Sequence, residues 1–443
     1  MRKYPSAGVA ADEVLLPAEG VPNETWAVVA CDQYTSQPEY WNNAEKLVGK
    51  APSTLRMIYP EAFLNEPNPK DRIASIRKHM QQYLDEGKFR KVDGMVYVER
   101  IASGKLRKGL MLCIDLECYD YNKGSTSLVR ATEGTILERI PPRIEIRQGA
   151  PVELPHIMVL IDDPEDTVFG PLTQAKGKLQ KVYDFDLMMD SGHLTGYAVG
   201  SGELEEKVMK SLERLADGEA FAAKYGLPKN TPVLLYAMGD GNHSLATAKA
   251  IWEKTKSEAK NVADVMDAST RYALVELVNL HDASLEFEPI HRVIFGISKG
   301  QDLLKYLTQQ LDATVEPVGS VDDMVAKVRE STSHHQRFGV IQQSGYAVVS
   351  IRKPSSNLAV GSVQAVLDVF MKAGGARELD YVHGTETVDS LGKKPGNMGI
   401  FLPSMDKADL FKSVIVDGAL PRKTFSMGEA QDKRFYMECR KLG

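Results

Sequence analysis

Val233-Leu234-Leu235-Tyr236-Ala237-Met238-Gly239-Asp240-Gly241-Asn242-His243-Ser244 is the stretch on which the reading of this chain turns. Six unbroken apolar residues predict a buried strand over 233–238. Gly239 and Gly241 permit tight turns and a close backbone approach. Amphipathic spacing then predicts a helix from about 244 to 257. The first N–H groups of such a helix, and the positive end of its dipole, favour an anion. Asn242 or Ser244 suits the N-cap, and His243 can donate to a phosphate oxygen. A carboxylate at Asp240 repels a phosphate unless a cation or a proton lies between them. Asp240 therefore points to Mg²⁺ or to general-base work. The same residues equally suit a capped helix after a glycine turn, since Asp, Asn and Ser are all good caps. The loop is neither a Walker loop nor a dinucleotide fingerprint.

Upstream, residues 1–24 read as an extended arm. A buried strand is predicted over 26–31, ending in the polar cluster Asp32-Gln33-Tyr34. Helices are predicted over 38–46 and 69–86, and a hairpin from 95–98 and 110–114. Strands follow at 157–161, 182–188 and 194–199, then one long helix over 203–225. Downstream come strands at 272–280 and 287–295, helices at 303–311, 321–329 and 362–372, and a hairpin over 338–351. The alternation predicts an α/β protein of the α+β kind, with helices packed on a mixed sheet.

Three further clusters carry chemistry-bearing side chains. Between 128 and 153, Glu133, Arg139 and Arg143 suit one base and two phosphate clamps, with Pro141-Pro142 blocking a long helix. They equally suit a solvated charged stretch. In Pro289-Ile290-His291-Arg292, the His–Arg pair suits an anion site or a surface turn. Asp162-Asp163 suits metal ligation or a turn before Pro164.

Composition narrows the classes. Lys and Arg total 54 against 60 Asp and Glu, a formal charge of -6, so nucleic acid is not expected as the main partner. Cys31, Cys113, Cys118 and Cys439 form no CxxC pair and are expected to be reduced. No apolar run reaches the roughly 18 residues of a membrane span, and Met1-Arg2-Lys3 opens no secretory pattern. A cytoplasmic protein is expected.

The motifs occur in a telling order. Glu133-Gly134-Thr135 and Arg143 come first, then 157–164, then Asp240-Gly241-Asn242-His243. Residues 272–279 lead to Pro289-Ile290-His291-Arg292, and Phe401-Leu402-Pro403 and 420–425 follow. In this the chain resembles a large bacterial and archaeal family known only as domain of unknown function 1015, itself similar to the free-serine kinases. The resemblance implies a ParB/sulfiredoxin-like nucleotide-binding core over 126–295, with further α/β regions over 1–125 and 296–443. It implies ATP or ADP and Mg²⁺ as cofactors, and a small-molecule substrate such as free serine. Glu133 takes the role of base and Asp240 that of metal ligand or hydroxyl polariser, with His243 on the phosphate. Gly239, Gly241, Asn242, Ser244, Arg143, His291 and Arg292 are placed around the nucleotide. Where the family loop has two histidines and an arginine, this chain has Asn242, His243 and Ser244; Thr132 precedes Glu133 where a histidine is common. The expected function is a Mg-dependent small-molecule kinase. The alternatives are a non-catalytic nucleotide or anion switch and a metal-assisted hydrolase using Asp240, His243, Asp162 and Asp163.

Overall fold

In the computed structural model, the described residues are 1–443 apart from 65, 123, 136–139, 422, 429 and 443. The chain divides into two compact units. Unit 1 comprises Met1–Leu285 and Gly428–Gly443, and unit 2 comprises Glu286–Met427.

Unit 1 is built on one mixed sheet. Its central strands are β1 (Met95–Ala102), β2 (Lys105–Asp115), β3 (Val129–Arg130), β4 (Met158–Ile161), β5 (Tyr236–Asp240) and β6 (Tyr272–Asn279). Their order across the sheet is β1-β2-β6-β4-β5-β3. His193–Val199 and Lys181–Asp186 extend the β1 side, and Tyr119–Asp120 lies beyond β3. Most pairings are antiparallel, but β4 runs parallel to β6, and β3 parallel to β5. Two helices matter below: α1 (Ile140–Arg147), and α2 (Asn242–Glu258), which packs against it.

The period-2 alternation of a strand gives this sheet two different faces. On β6, Ala273, Val275 and Leu277 enter one apolar core, while Tyr272 and Leu274 enter the other. Glu276 breaks the second pattern with no solvent exposure. It stays charged because Arg434 Nη1 lies 2.8 Å away and Arg107 Nη2 3.5 Å away. A side chain at Gly109 would collide with it, since an added Cβ would stand 2.2 Å from Glu276 Oε1.

Unit 2 has its own sheet. Its strand β7 (Phe287–Ile297) pairs with Ala376–His383, Met398–Phe401 and Phe425–Met427. Val293, Met324, Val328, Ile341 and Val348 form part of its core.

Several elements differ from expectation. The arm over 1–24 is structured: Arg2–Tyr4 pairs with Val9–Ala11, which pairs with β2. The helix over 203–225 is two helices, Glu203–Leu215 and Gly218–Tyr225, because the Asp217 carboxylate accepts from Ala220 N–H at 2.8 Å and starts a new helix. The division expected at 125/126 falls between strands of one sheet, and that at 295/296 falls inside β7. Among the described residues, no helix is long and apolar enough to cross a membrane.

Candidate functional site

The loop sits where β5 hands over to α2. Gly241 makes the turn with φ of 77°, in the left-handed region. An added Cβ there would lie 2.9 Å from Ile157 Cα, so the position accepts only glycine. Gly241 is itself the N-cap of α2, and no side chain caps the helix. Asn242 and Ser244, expected as caps, are instead its first and third residues. The Oδ1 of Asn242 is buried without a hydrogen-bond partner. A helix of 17 residues thus begins without the usual side-chain acceptor for its first amides.

Asp240 ends β5, half-buried. Its Oδ1 accepts from the Gly241 N–H at 2.8 Å, and its Oδ2 lies 3.1 Å from Lys433 Nζ. Burial alone would raise its pKa. The charges of Lys433 and His156, with the two hydrogen bonds, outweigh that and hold it below the ordinary carboxylate value. Lys433 comes from the C-terminal segment, 193 residues away in sequence. It is positioned by its neighbour Arg434, which bonds Pro155 O at 3.0 Å, Glu276 at 2.8 Å and Glu438.

The segment before Glu133 runs beside β5. β3 pairs in parallel, Val129 with Tyr236 and Arg130 with Ala237. Thr132 Oγ1 continues the alignment by donating to Met238 O at 2.8 Å. Half-buried Glu133 is the next residue along. Arg130 is held to the backbone, donating to Ser127 O, Pro232 O and Val233 O. Arg139 lies outside the described residues.

His156 was not singled out from the sequence. β4 pairs antiparallel with β5, Met158 opposite Asp240, so His156 is carried beneath the first turn of α2. Its Nε2 lies 3.2 Å from Ser244 Oγ and 3.7 Å from Asp32 Oδ2, and its Nδ1 2.6 Å from Tyr436 Oη. Tyr436 Oη lies 3.1 Å from Cys31 Sγ and accepts from Cys31 N–H at 3.2 Å. Burial pushes the Cys31 thiol up to about 12, so it remains protonated. Beside this chain of groups lies a cavity of about 390 Å³. Ser244 and Arg143, two of the sequence candidates, both line it. Arg143, on α1, is paired with Glu61. The half-buried His243 is on the first turn of α2, where its carbonyl accepts from Thr247 Oγ1 at 2.7 Å.

The remaining candidates have other partners. His291 and Arg292 belong to unit 2 and are buried in it. Asp162 and Asp163 follow the far end of β4. Asp240 is level with Met158, so Asp162 stands about 13 Å along the strand at ~3.3 Å per residue. Asp163 caps its own turn, accepting from Val168 N–H at 2.9 Å. Asp162 is paired with Lys224 at 2.9 Å and His281 at 2.6 Å. These acids therefore do not converge on Asp240. Among the described residues no three His, Cys, Asp or Glu side chains cluster to hold a metal.

Residues 15–370 match the family described as "Protein of unknown function (DUF1015)", and the chain belongs to that family. No curated protein matches it in sequence. Among solved structures it is similar to a mutant free serine kinase in complex with ADP, over 77% of this chain and 94% of that one, at 11% identity and a TM-score of 0.39. A free serine kinase in complex with AMP is similar over the same shares, at 11% identity and 0.38. A conserved hypothetical protein from Pyrococcus furiosus is similar over 75% of this chain and 94% of that one, at 12% identity and 0.36.

Proposed function

We propose that the chain is a nucleotide-dependent phosphotransferase acting on the hydroxyl of a small molecule, with free serine as the reference substrate. The observation that carries this is the junction of β5 and α2. The helix start has no side-chain cap and Lys433 and Asp240 stand beside it; the β3–β5 register, extended by three residues, supports a role for Glu133 at the same end.

The chemistry suits these groups. Phosphoryl transfer asks mainly for positioning and charge neutralisation. The amides of 242–244 and the helix dipole hold phosphate oxygens. Lys433 balances their charge. Glu133 takes the proton from the attacking hydroxyl; the hydroxyl oxygen bonds to phosphorus, and the nucleotide leaves with the electrons of the broken P–O bond. One protein carboxylate suffices for Mg²⁺ when phosphates complete its shell, so Asp240 fits such an ion. The ion would supply further charge neutralisation. The order of motifs shared with the family is consistent with these roles.

The test is turnover. Purified protein with ATP or ADP, Mg²⁺ and a pool of small hydroxyl compounds, L-serine among them, should give a phosphomonoester signal by phosphorus NMR. Glu133→Gln should lower the rate by roughly 10²–10⁴, the usual worth of a general base. Unchanged turnover in both Glu133→Gln and Asp240→Asn would overturn the assignment. A second reading, a nucleotide-holding switch without transfer, is favoured by one detail: Ser244 offers no cation to phosphate and is bonded to His156. Calorimetry showing tight nucleotide binding without any product selects it.

A further inference from the structure

We propose that the cavity beside Ser244 and His156 seats an uncharged, largely apolar alcohol, and that this alcohol is the acceptor in the transfer proposed above, on which this second step rests. The cavity holds about 390 Å³, a volume typical of small-molecule sites. Its walls include Met57, Ile58, Leu64, Met80, Ile146 and Leu154. Its polar groups outside the ion pairs include Cys31, His156, Ser244 and Tyr436, joined in one hydrogen-bonded chain.

The charged side chains at the wall are already neutralised. Arg143 pairs with Glu61, and Arg147 with Glu153. The other oxygen of Glu153 accepts from Arg440 Nε at 2.5 Å and from Leu274 N–H at 3.0 Å. A free amino acid brings a carboxylate and an ammonium, and each needs an opposite charge. Placed against Arg143, Arg147, Glu61 or Glu153, each would have to break a standing ion pair. An uncharged molecule meets no such penalty and gains from covering the apolar wall.

The polar end suits one hydroxyl. With the Tyr436 phenol donating to Cys31 Sγ, the Nδ1–H of His156 donates to the Tyr436 oxygen. That leaves Nε2 as an acceptor, now facing Ser244 Oγ at 3.2 Å. An alcohol inserted there donates its proton to Nε2 and accepts from the Ser244 hydroxyl, so each group exchanges one bond for another. Ser244 is the third residue of α2, so the alcohol oxygen lies within one helical turn, about 5 Å, of the phosphate seat. His156 thus positions the hydroxyl in the resting complex, and the O–H turns from Nε2 to Glu133 as the oxygen attacks phosphorus.

Ligand-observed NMR on the full chain without nucleotide tests the pocket, with hexan-1-ol, benzyl alcohol and L-serine as probes. Saturation transfer is expected for the two alcohols and not for L-serine. Ile146→Trp and, separately, Met80→Phe should weaken alcohol binding at least tenfold with the far-UV spectrum retained. His156→Ala should weaken benzyl alcohol but leave toluene unchanged, an effect a merely structural role would not produce. Alcohol binding that survives both filling variants, or L-serine binding that they abolish, overturns the pocket. A parallel ADP titration separates the two claims. Alcohol binding without ADP binding removes the phosphotransferase reading and the acceptor role with it, whereas ADP binding without alcohol binding removes the pocket alone.

Discussion

His156 in unit 1 and His291 in unit 2 are both strand histidines with close polar neighbours, yet they are held differently. His291 is 2% exposed, accepts from Leu402 N–H at 3.1 Å and stacks on Phe401 at 4.3 Å. Its neighbour Arg292 bonds Gln364 at 2.8 Å, Ile290 O at 2.6 Å and Lys423 O at 2.9 Å, and lies over the Tyr381 ring. Those partners are largely backbone, fixed by the fold of unit 2. His156 is bonded to side chains, on the wall of a cavity. Polar groups tied to backbone hold an architecture together. Polar groups tied to other side chains beside empty space can trade those bonds for a ligand.

The largest expected effect lies on the backbone-tied side. Arg292→Met should destabilise unit 2 by about 3 kcal/mol or more, since three buried acceptors each lose a donor at roughly 1–3 kcal/mol. Amide exchange over residues 286–427 measures this. ADP affinity per folded molecule should stay the same, and a parallel loss would erase the contrast.

Next comes pH. Burial, then the charge of Arg292, pushes His291 down to about 4. The unfolded histidine titrates near 6.5. Between those values the unfolded chain binds the extra proton, so stability rises with pH there. Acidifying from 6.5 to 4 should therefore remove about 3 kcal/mol, at ~1.4 kcal/mol per pH unit, while His291→Phe should flatten that slope in urea titrations.

Asp240→Asn should lower turnover about 10²-fold, roughly 2.7 kcal/mol in the barrier. Its stability effect should be under about 1 kcal/mol, since the pair with Lys433 is partly exposed. Because the folded carboxyl is depressed, the pair's contribution is present above the unfolded pKa near 3.9 and is lost as pH falls through the folded value. Smallest is Ser244→Ala, which should change stability by no more than about 1 kcal/mol. It should still shift the imidazole C–H resonances of His156. Silence there would mean the two groups are not coupled in solution.

How much of this was legible depends on distance along the chain. The strand–glycine–helix junction was readable because its signals are local: an apolar run, two glycines, then helical spacing. Even so, the strand is Tyr236–Asp240, later than 233–238: the N–H groups of Leu235 and Tyr236 share one acceptor, Leu128 O, at 3.0 and 3.1 Å, and regular pairing begins only there. The short strands of 1–24 escaped notice since three residues are too few to show alternation. The site was half legible. Ser244 and Arg143 line one cavity. His156, Tyr436 and Lys433 left no signal, because nothing in local spacing tells a lone His, Tyr or Lys that sheet pairing will bring it to a loop far off in sequence.

The closing strap of unit 1, Gly428 onward, sets a schedule for biosynthesis. Lys433 on Asp240, Arg434 on Glu276 and Arg440 on Glu153 all insert from this strap into the sheet laid down by the first 285 residues. All of unit 2 must leave the ribosome before any of these cations arrives. Until then Glu276 has Arg107 and Glu153 has Arg147, and each carboxylate is one cation short until residues 433–440 are made.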